Sequence, residues 1–166
     1  MSALRVTVVC SGNICRSPMG EVMLRDAVER AGLGHAVTID SAGIGGWHVG
    51  DGADRRALAV LRGHGYDGTE HRVRQITRDW FDDPDTAPDL LLAMDRGHYD
   101  DLLRLAPDAD VRMLRSFDPA LEGVAPEAAD LDVPDPYYGE LSDYETVFDM
   151  VEAATPALIT HLQSQL

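Results

Sequence analysis

The sequence predicts an α/β fold built on an open parallel sheet, and three observations lead to this prediction. Strand-like apolar runs alternate with helix-like segments along the 166 residues, as in right-handed β–α–β crossovers. One run, 90–94, is apolar at every position, which is typical of a strand buried on both faces. Cys10, Ser41 and Asp95 each lie at or just past a predicted strand end. Ligands in such sheets bind beyond the carboxyl ends of strands, so we expect these side chains to gather around one crevice.

The first half of the chain predicts two strands and two helices. An apolar run from Leu4 to Val9 forms the first strand, and Ser17 as N-cap with Pro18 at the first helical position begins a helix. That helix ends at Gly32. A second strand, a flexible loop and a second helix follow at 36–40, 41–50 and 53–62. The apolar stripe of the first helix consists of Met23, Leu24, Ala27, Val28 and Ala31.

The second half predicts two more strands and ends in a long helix. The segment 75–81 is predicted to form a short helix that begins at Thr77. Ser142 with Glu145 forms a capping box for the last helix. The stretch 118–139, rich in Pro, Asp and Ala, is predicted to be irregular. The remaining elements are a strand at 90–94, a helix at 96–105 and a strand at 111–114. The buried side of the last helix is predicted to carry Tyr144, Val147, Phe148, Val151, Leu158 and Leu162.

Composition excludes several classes of function. The net charge of −15 argues against nucleic acid and anionic membranes as partners. All 14 basic residues are arginine, so neither a Schiff-base lysine nor the lysine of a nucleotide-binding loop is available. Two cysteines provide neither a disulfide framework nor a structural zinc site. No apolar run reaches membrane-spanning length and no signal-peptide pattern is found, so we expect a cytoplasmic protein with one domain, 1–166.

The segment 8–18 predicts an anion site with a nucleophile. A strand, a tight loop and a helix N-terminus follow one another there, and the backbone N–H groups of such a loop converge on one point. Cys10 begins the loop, and Arg16 offers a planar fork suited to phosphate oxygens. A thiol in this field loses its proton readily and becomes a nucleophile. The alternative interpretation makes Cys10 a buried core residue and Arg16 a solvated charge at a helix end.

With these residues in hand, the sequence resembles the low-molecular-weight protein tyrosine phosphatases over nearly its whole length. Residues 10–18 resemble the phosphate-binding loop of that family, and 135–139 resemble its general-acid loop. Residues 37–50 and 112–119 are similar to actinobacterial members in particular. The resemblance implies a single-domain, three-layer α/β/α fold with a four-stranded parallel sheet, flavodoxin-like, of strand order 2-1-3-4. It also implies a phosphotyrosine phosphatase that needs neither a metal nor another cofactor.

The resemblance also assigns roles within the site. Cys10 is the nucleophile, Arg16 binds phosphate, and Asp135, in one of three Asp-Pro pairs, is the general acid and base. Trp47, Tyr137 and Tyr138 are expected to form the wall that grips a phenyl ring. The phosphate-binding residues are expected to be Ser11, Gly12, Asn13, Ile14, Cys15 and Arg16. The residues that support the loop are expected to be Asn13, in a left-handed conformation, with Ser17, Ser41 and His71.

Other functions remain open at this stage. Cys15 is expected to bond to Cys10 on oxidation and protect it, although it could simply pack beneath the loop. Arsenate reductases of this fold use further cysteines, which this chain lacks. Phosphoarginine phosphatases carry threonine at the position of Ile14, and a phosphocysteine carrier would not need Asp135. The partners implied are phosphotyrosine proteins, the expected state is a monomer or weak dimer, and export without a signal peptide stays possible.

Overall fold

The computed structural model describes residues 3–125 and 128–166. At its centre lies one parallel sheet of four strands: β1 (Leu4–Cys10), β2 (Val37–Gly43), β3 (Leu90–Ala93) and β4 (Val111–Met113). Their order in the sheet is β2-β1-β3-β4, which confirms the predicted fold class. β1 pairs with β2 from Leu4↔Val37 to Cys10↔Gly43, and with β3 on its other side.

Helices cover both faces of the sheet and so form three layers. Side chains alternate across β1: Val6 and Val8 belong to one buried apolar cluster, whereas Val9 belongs to the other. The first cluster also contains residues of α1 (Arg16–Arg30), α2 (Arg55–Gly63) and α4 (Leu141–Ser164). The second contains Leu102 of α3 (Arg96–Leu105). Short 3-10 turns lie at 78–81, 114–117, 119–121 and 129–131.

Several local expectations differ from the structure. β2 extends to Gly43, so the segment 41–43, which the sequence assigned to a loop, is strand. The reason is that β1 is long enough to pair with it through Cys10. Cys15, not Ser17, is the N-cap of α1. The helix begins earlier than predicted because the loop turns directly into it, and the Ser17 hydroxyl is engaged by Asn13.

Two further details of the helices differ from the predictions. The capping box of α4 is formed by Glu140 and Asp143 rather than Ser142 and Glu145, because the helix starts at Leu141. On α1, Ala27 is only half-buried and Ala31 lies beyond the helix end, exposed. The other predicted core positions of α1 and α4 are buried. None of the helices in the described ranges combines the length and apolarity needed to cross a bilayer.

Candidate active site

The loop between β1 and α1 is held by hydrogen bonds to its carbonyl groups. Ile44 N–H donates to the Cys10 carbonyl, and Gly45 N–H donates to the Ser11 carbonyl, both at 2.9 Å. Asp54 N–H donates to the Ile14 carbonyl at 2.8 Å. Within the described part of the chain, no acceptor takes the backbone N–H groups of residues 11–15. The carbonyls are therefore directed into the fold, and these N–H groups remain available to an anion.

Gly43 allows β2 to approach the loop closely. A Cβ at this position would lie 2.9 Å from the Ser11 carbonyl oxygen and 3.0 Å from the Gly12 carbonyl carbon. Both are backbone atoms that cannot rotate away. Glycine at position 43 is thus a requirement of the loop conformation.

Asn13 and Ser17 organise the interior of the loop around Cys10. Asn13 has a φ of 60°, the left-handed conformation that the sequence predicted, and it is fully buried. Its Nδ2 donates to Ser17 Oγ at 2.7 Å. Because that hydroxyl receives a hydrogen bond from Asn13, its own proton can be donated to Cys10 Sγ, 3.0 Å away.

A second layer of side chains supports Asn13. Its Nδ2 also donates to Ser41 Oγ at 2.9 Å, and Ser41 Oγ in turn donates to Glu21 Oε1 at 2.7 Å. His71 Nε2 lies 2.8 Å from the Asn13 carbonyl oxygen. The backbone N–H of Arg74 donates to Asn13 Oδ1 at 2.9 Å. Ser41 and His71, two of the residues expected to support the loop, therefore contact Asn13 directly.

Arg16 lies beside the nucleophile with its side chain 3% exposed. Its Nη1 donates to Asp95 Oδ2 at 2.8 Å and to the Val133 carbonyl at 3.0 Å. Its Nη2 faces Ser11 Oγ at 3.3 Å and Asp135 Oδ2 at 3.7 Å. Nη1 is thus fixed by Asp95 and the Val133 carbonyl, while Nη2 faces Ser11 and Asp135, both of which line the cavity. This orientation excludes the interpretation of Arg16 as a solvated helix-end charge.

Asp135 reaches the site on the segment that follows the last 3-10 turn. Its carboxylate is half-exposed and accepts a hydrogen bond from the Tyr137 N–H at 3.1 Å. Arg56 anchors the far end of this segment, because its Nη1 donates to the Gly139 carbonyl at 3.0 Å. The same guanidinium makes two 3.0 Å hydrogen bonds to the carboxylate of Asp54. The loop that carries Asp135 is therefore tied to the loop that carries Cys10 through residues 54–56.

A cavity of about 310 Å³ opens above Cys10. Trp47 and Tyr138 stand at its mouth, 75% and 95% exposed. The Trp47 ring packs over the Cα of Gly45, where a Cβ would collide with it. His48 also lines the wall and had no expected role in the site. Ile14 and Cys15 line it too, although they were expected to bind phosphate. The full lining is Cys10, Ser11, Gly12, Ile14, Cys15, Arg16, Trp47, His48, Asp135, Tyr137 and Tyr138.

Cys15 differs in environment from Cys10, although both are buried and free. Its Sγ lies 3.3 Å from the hydroxyl of Tyr144, which is fully buried in α4. Burial raises the pKa of Cys15 to about 12, and the hydrogen bond to Tyr144 offsets only part of this effect. Cys15 is therefore a neutral thiol at physiological pH.

The structure brings all the sequence-predicted site residues to one end of the sheet. Those that sequence reasoning missed are the supports of the site: Glu21, Arg74, His98 and the carbonyl of Val133. The pattern Asp95-x-x-His98 at a helix start was the available signal, since such spacing forms capping boxes. Nothing in the sequence marks the Val133 carbonyl. In the described ranges, no group of three His, Cys, Asp or Glu side chains is arranged to hold a metal ion.

Comparison with known proteins agrees with this geometry. Residues 5–166 match the family described as low molecular weight phosphotyrosine protein phosphatase. The chain is 52% identical over 166 residues to a low molecular weight protein-tyrosine-phosphatase of Streptomyces coelicolor, covering 98% of this chain and 95% of the relative. It is 51% identical over 156 residues to low molecular weight protein-tyrosine phosphatase A of Mycobacterium tuberculosis, with coverages of 93% and 89%.

A solved structure gives the same result. The protein tyrosine phosphatase of Entamoeba histolytica superposes with a TM-score of 0.86 at 29% identity, over 98% of this chain and 99% of that one. From sequence, fold and loop geometry together, this chain belongs to the low molecular weight protein-tyrosine phosphatase family.

Proposed function

We propose that this chain hydrolyses phosphotyrosine in proteins, and small aryl phosphates, through a phosphocysteine intermediate. The observation that carries the proposal is the meeting of Cys10, Arg16 and Asp135 in one cavity, with Arg16 Nη2 3.7 Å from Asp135 Oδ2. A nucleophile, an anion-binding cation and a carboxyl group are the three parts that this reaction needs.

In the first step, the Cys10 thiolate attacks phosphorus in line with the leaving phenol. The new bond is S–P, and the bond that breaks joins phosphorus to the phenolic oxygen. Arg16 and the N–H groups of residues 11–15 bind the equatorial phosphoryl oxygens, where negative charge is spread in the transition state. Asp135 gives its proton to the departing phenolate oxygen.

In the second step, water replaces the sulfur. The carboxylate of Asp135 takes a proton from the attacking water, the P–S bond breaks, and Cys10 leaves as a thiolate that accepts the Ser17 hydrogen bond. Inorganic phosphate is the product. Because Arg16 and the backbone amides supply the positive field, no step requires a metal ion.

The walls of the cavity support an aromatic substrate. Trp47, Tyr137 and Tyr138 offer ring faces for a phenyl group. Ile14 also lines the cavity, where threonine in phosphoarginine phosphatases favours a guanidine substrate. An arginine phosphatase of the same fold remains the second candidate, and Ile14 is the observation against it. A phosphocysteine carrier would not need Asp135, and an arsenate reductase would need cysteines beyond the two present.

We further propose that the partners are phosphotyrosine proteins in the cytoplasm, where the chain acts in signalling as a monomer or weak dimer. The net charge of −15 supports the proposal that nucleic acids and anionic membranes are not partners. Export of the enzyme would instead direct it to the proteins of another cell. Capture of phosphoproteins by the Cys10→Ser variant, followed by their identification, distinguishes the two.

The function is tested by turnover in the presence of EDTA. We expect hydrolysis of p-nitrophenyl phosphate and of a phosphotyrosine peptide, with a phosphoryl group trapped on Cys10 by alkaline quench. Cys10→Ser should abolish both the turnover and the trapped intermediate. Faster hydrolysis of phosphoarginine than of phosphotyrosine, or turnover that EDTA removes, would contradict the proposal.

A further inference from the structure

His98 lies beside the catalytic loop but takes no part in the mechanism above. It occupies the third position of α3 and is 3% exposed. Its Nδ1 accepts a hydrogen bond from the backbone N–H of Asp95 at 3.2 Å. The backbone N–H of His98 in turn donates to Asp95 Oδ1 at 3.0 Å. These two bonds form the capping box of α3 and fix the orientation of the ring.

The hydrogen bonds also determine which ring nitrogen carries the proton. Nδ1 lies 3.2 Å from both the backbone nitrogen and Oδ1 of Asp95, but only the contact with the backbone N–H has hydrogen-bond geometry. The lone pair of Nδ1 therefore faces a donor, which assigns the proton of a neutral ring to Nε2. Burial, together with the nearby charge of Arg16, lowers the pKa of His98 to about 4 and keeps the ring neutral near pH 7. Nε2 faces Ser11 Oγ at 2.8 Å. His98 therefore donates a hydrogen bond to the Ser11 hydroxyl.

Ser11 Oγ receives a second hydrogen bond from the other side. Arg16 Nη2 lies 3.3 Å from it, and a guanidinium can only donate. With both lone pairs of the oxygen engaged, the hydroxyl proton must be donated in a third direction. Within the described residues, no acceptor for that proton is found. Ser11 lines the cavity above Cys10, adjacent to Arg16.

We propose that the Ser11 hydroxyl is a hydrogen-bond donor to a non-bridging oxygen of the bound phosphoryl group, and that His98 is the residue that positions it. This inference rests on the proposed function. It adds one oriented side-chain donor to Arg16 and the backbone amides of the loop. Ser11 is thereby a substrate-binding residue, whereas His98 acts through Ser11 and never touches the substrate.

Two substitutions separate the roles of the two ring nitrogens. His98→Asn places a carbonyl oxygen near the position of Nδ1, so the capping bond is retained and the bond to Ser11 is lost. His98→Gln places an N–H donor near the position of Nε2, so the bond to Ser11 is retained and the capping acceptor is lost. A structural role for His98 predicts that His98→Gln is the more damaging change. A positioning role instead predicts that His98→Asn lowers kcat/KM more than His98→Gln does.

Ser11→Ala removes the donor itself, and Ser11→Thr retains it. We expect Ser11→Ala to lower kcat/KM for p-nitrophenyl phosphate, and to raise the Kd of vanadate in calorimetry, by about tenfold to a hundredfold, as for a hydrogen bond to a charged group. His98→Asn should lower kcat/KM in the same direction, whereas Ser11→Thr and His98→Gln should remain within a fewfold of wild type. His64→Asn is the matched control, since His64 also bonds through Nε2, to Glu145, outside the cavity.

A double-mutant cycle decides the question. If His98 acts through Ser11, His98→Asn should have almost no further effect on vanadate affinity or kcat/KM in the Ser11→Ala protein. An equal effect in both backgrounds would overturn the positioning role, and a twofold or smaller change for Ser11→Ala would overturn the donor. Wild-type protein that binds vanadate but hydrolyses no aryl phosphate would reject the proposed function instead, while the vanadate measurements would still test the donor.

Discussion

The pH dependence of folding stability reports on the neutral state of His98. Its pKa is lowered from 6.5 to about 4 in the folded protein, first by burial and then by the charge of Arg16, against the attraction of Asp95. Between these two values the unfolded chain binds more protons than the folded one, so stability falls as the pH falls. The full shift corresponds to about 3 kcal/mol at 1.36 kcal/mol per pKa unit. Between pH 7 and pH 5, about 2 kcal/mol of it is lost.

His98→Asn removes this titration and leaves the capping bond to Asp95 in place. The free energies of unfolding of wild type and variant are measured in urea at several values between pH 7 and pH 5. All other titrating groups are common to both proteins, so the difference between the two curves isolates His98. We expect wild type to lose about 2 kcal/mol more than the variant over this interval. Parallel curves would refute the reasoning, since they would mean that His98 ionises equally in the folded and unfolded states.

Three further predictions concern catalysis and oxidation. Asp135→Ala should lower turnover of phenyl phosphate by about 10² to 10⁴ and leave phosphate binding intact. Equal losses for phenyl and dinitrophenyl phosphate in steady-state assays would contradict an acid role, because the better leaving group needs less protonation. Gly43→Ala should lower kcat by about tenfold or more, because the added Cβ displaces the loop. Gly63→Ala is the control and should keep wild-type kcat, since its added Cβ would meet no atom within 4 Å. Similar kcat values for the two variants would contradict the close approach of Gly43 to the loop. Peroxide should oxidise Cys10 to a sulfenic acid, which condenses with the Cys15 thiol to a disulfide and releases water, so the inactivation should be reversible. If the Cys15→Ser variant regains activity with dithiothreitol as fully as wild type, Cys15 has no protective role.

The chemistry of the loop could be predicted from sequence because its signals are local. A strand, small residues and a helix start within 8–18 predict converging N–H groups at one strand end. The left-handed conformation of Asn13 follows from its side chain, which tolerates that region better than most. Family resemblance was needed to choose Asp135, because the other two Asp-Pro pairs have the same local pattern.

The supports of the site could not be predicted in the same way. Ser41 on β2 and His71 on a loop were expected only from the family resemblance, and Glu21 on α1 was not expected at all. Only the packing of these elements brings Ser41 and His71 to Asn13, and Glu21 to Ser41. Helix starts were also displaced from the predicted residues. Ser17 has the side chain of an N-cap, but the buried amide of Asn13 and the sulfur of Cys10 compete for its hydroxyl.

By itself the sequence determined the succession of strands and helices along the chain, the nucleophile and the loop that binds an anion. All of these depend on residues that are neighbours in the sequence. The tertiary structure decided which distant groups meet there. Asp95, Val133 and Asp135 are far from Arg16 in sequence, yet they fix or face its two terminal nitrogens. Asp95 follows β3, which ends at the same edge of the sheet as β1. Val133 and Asp135 reach this edge because the Val133 N–H donates to the Met94 carbonyl at 2.7 Å, a relation that no short stretch of sequence contains.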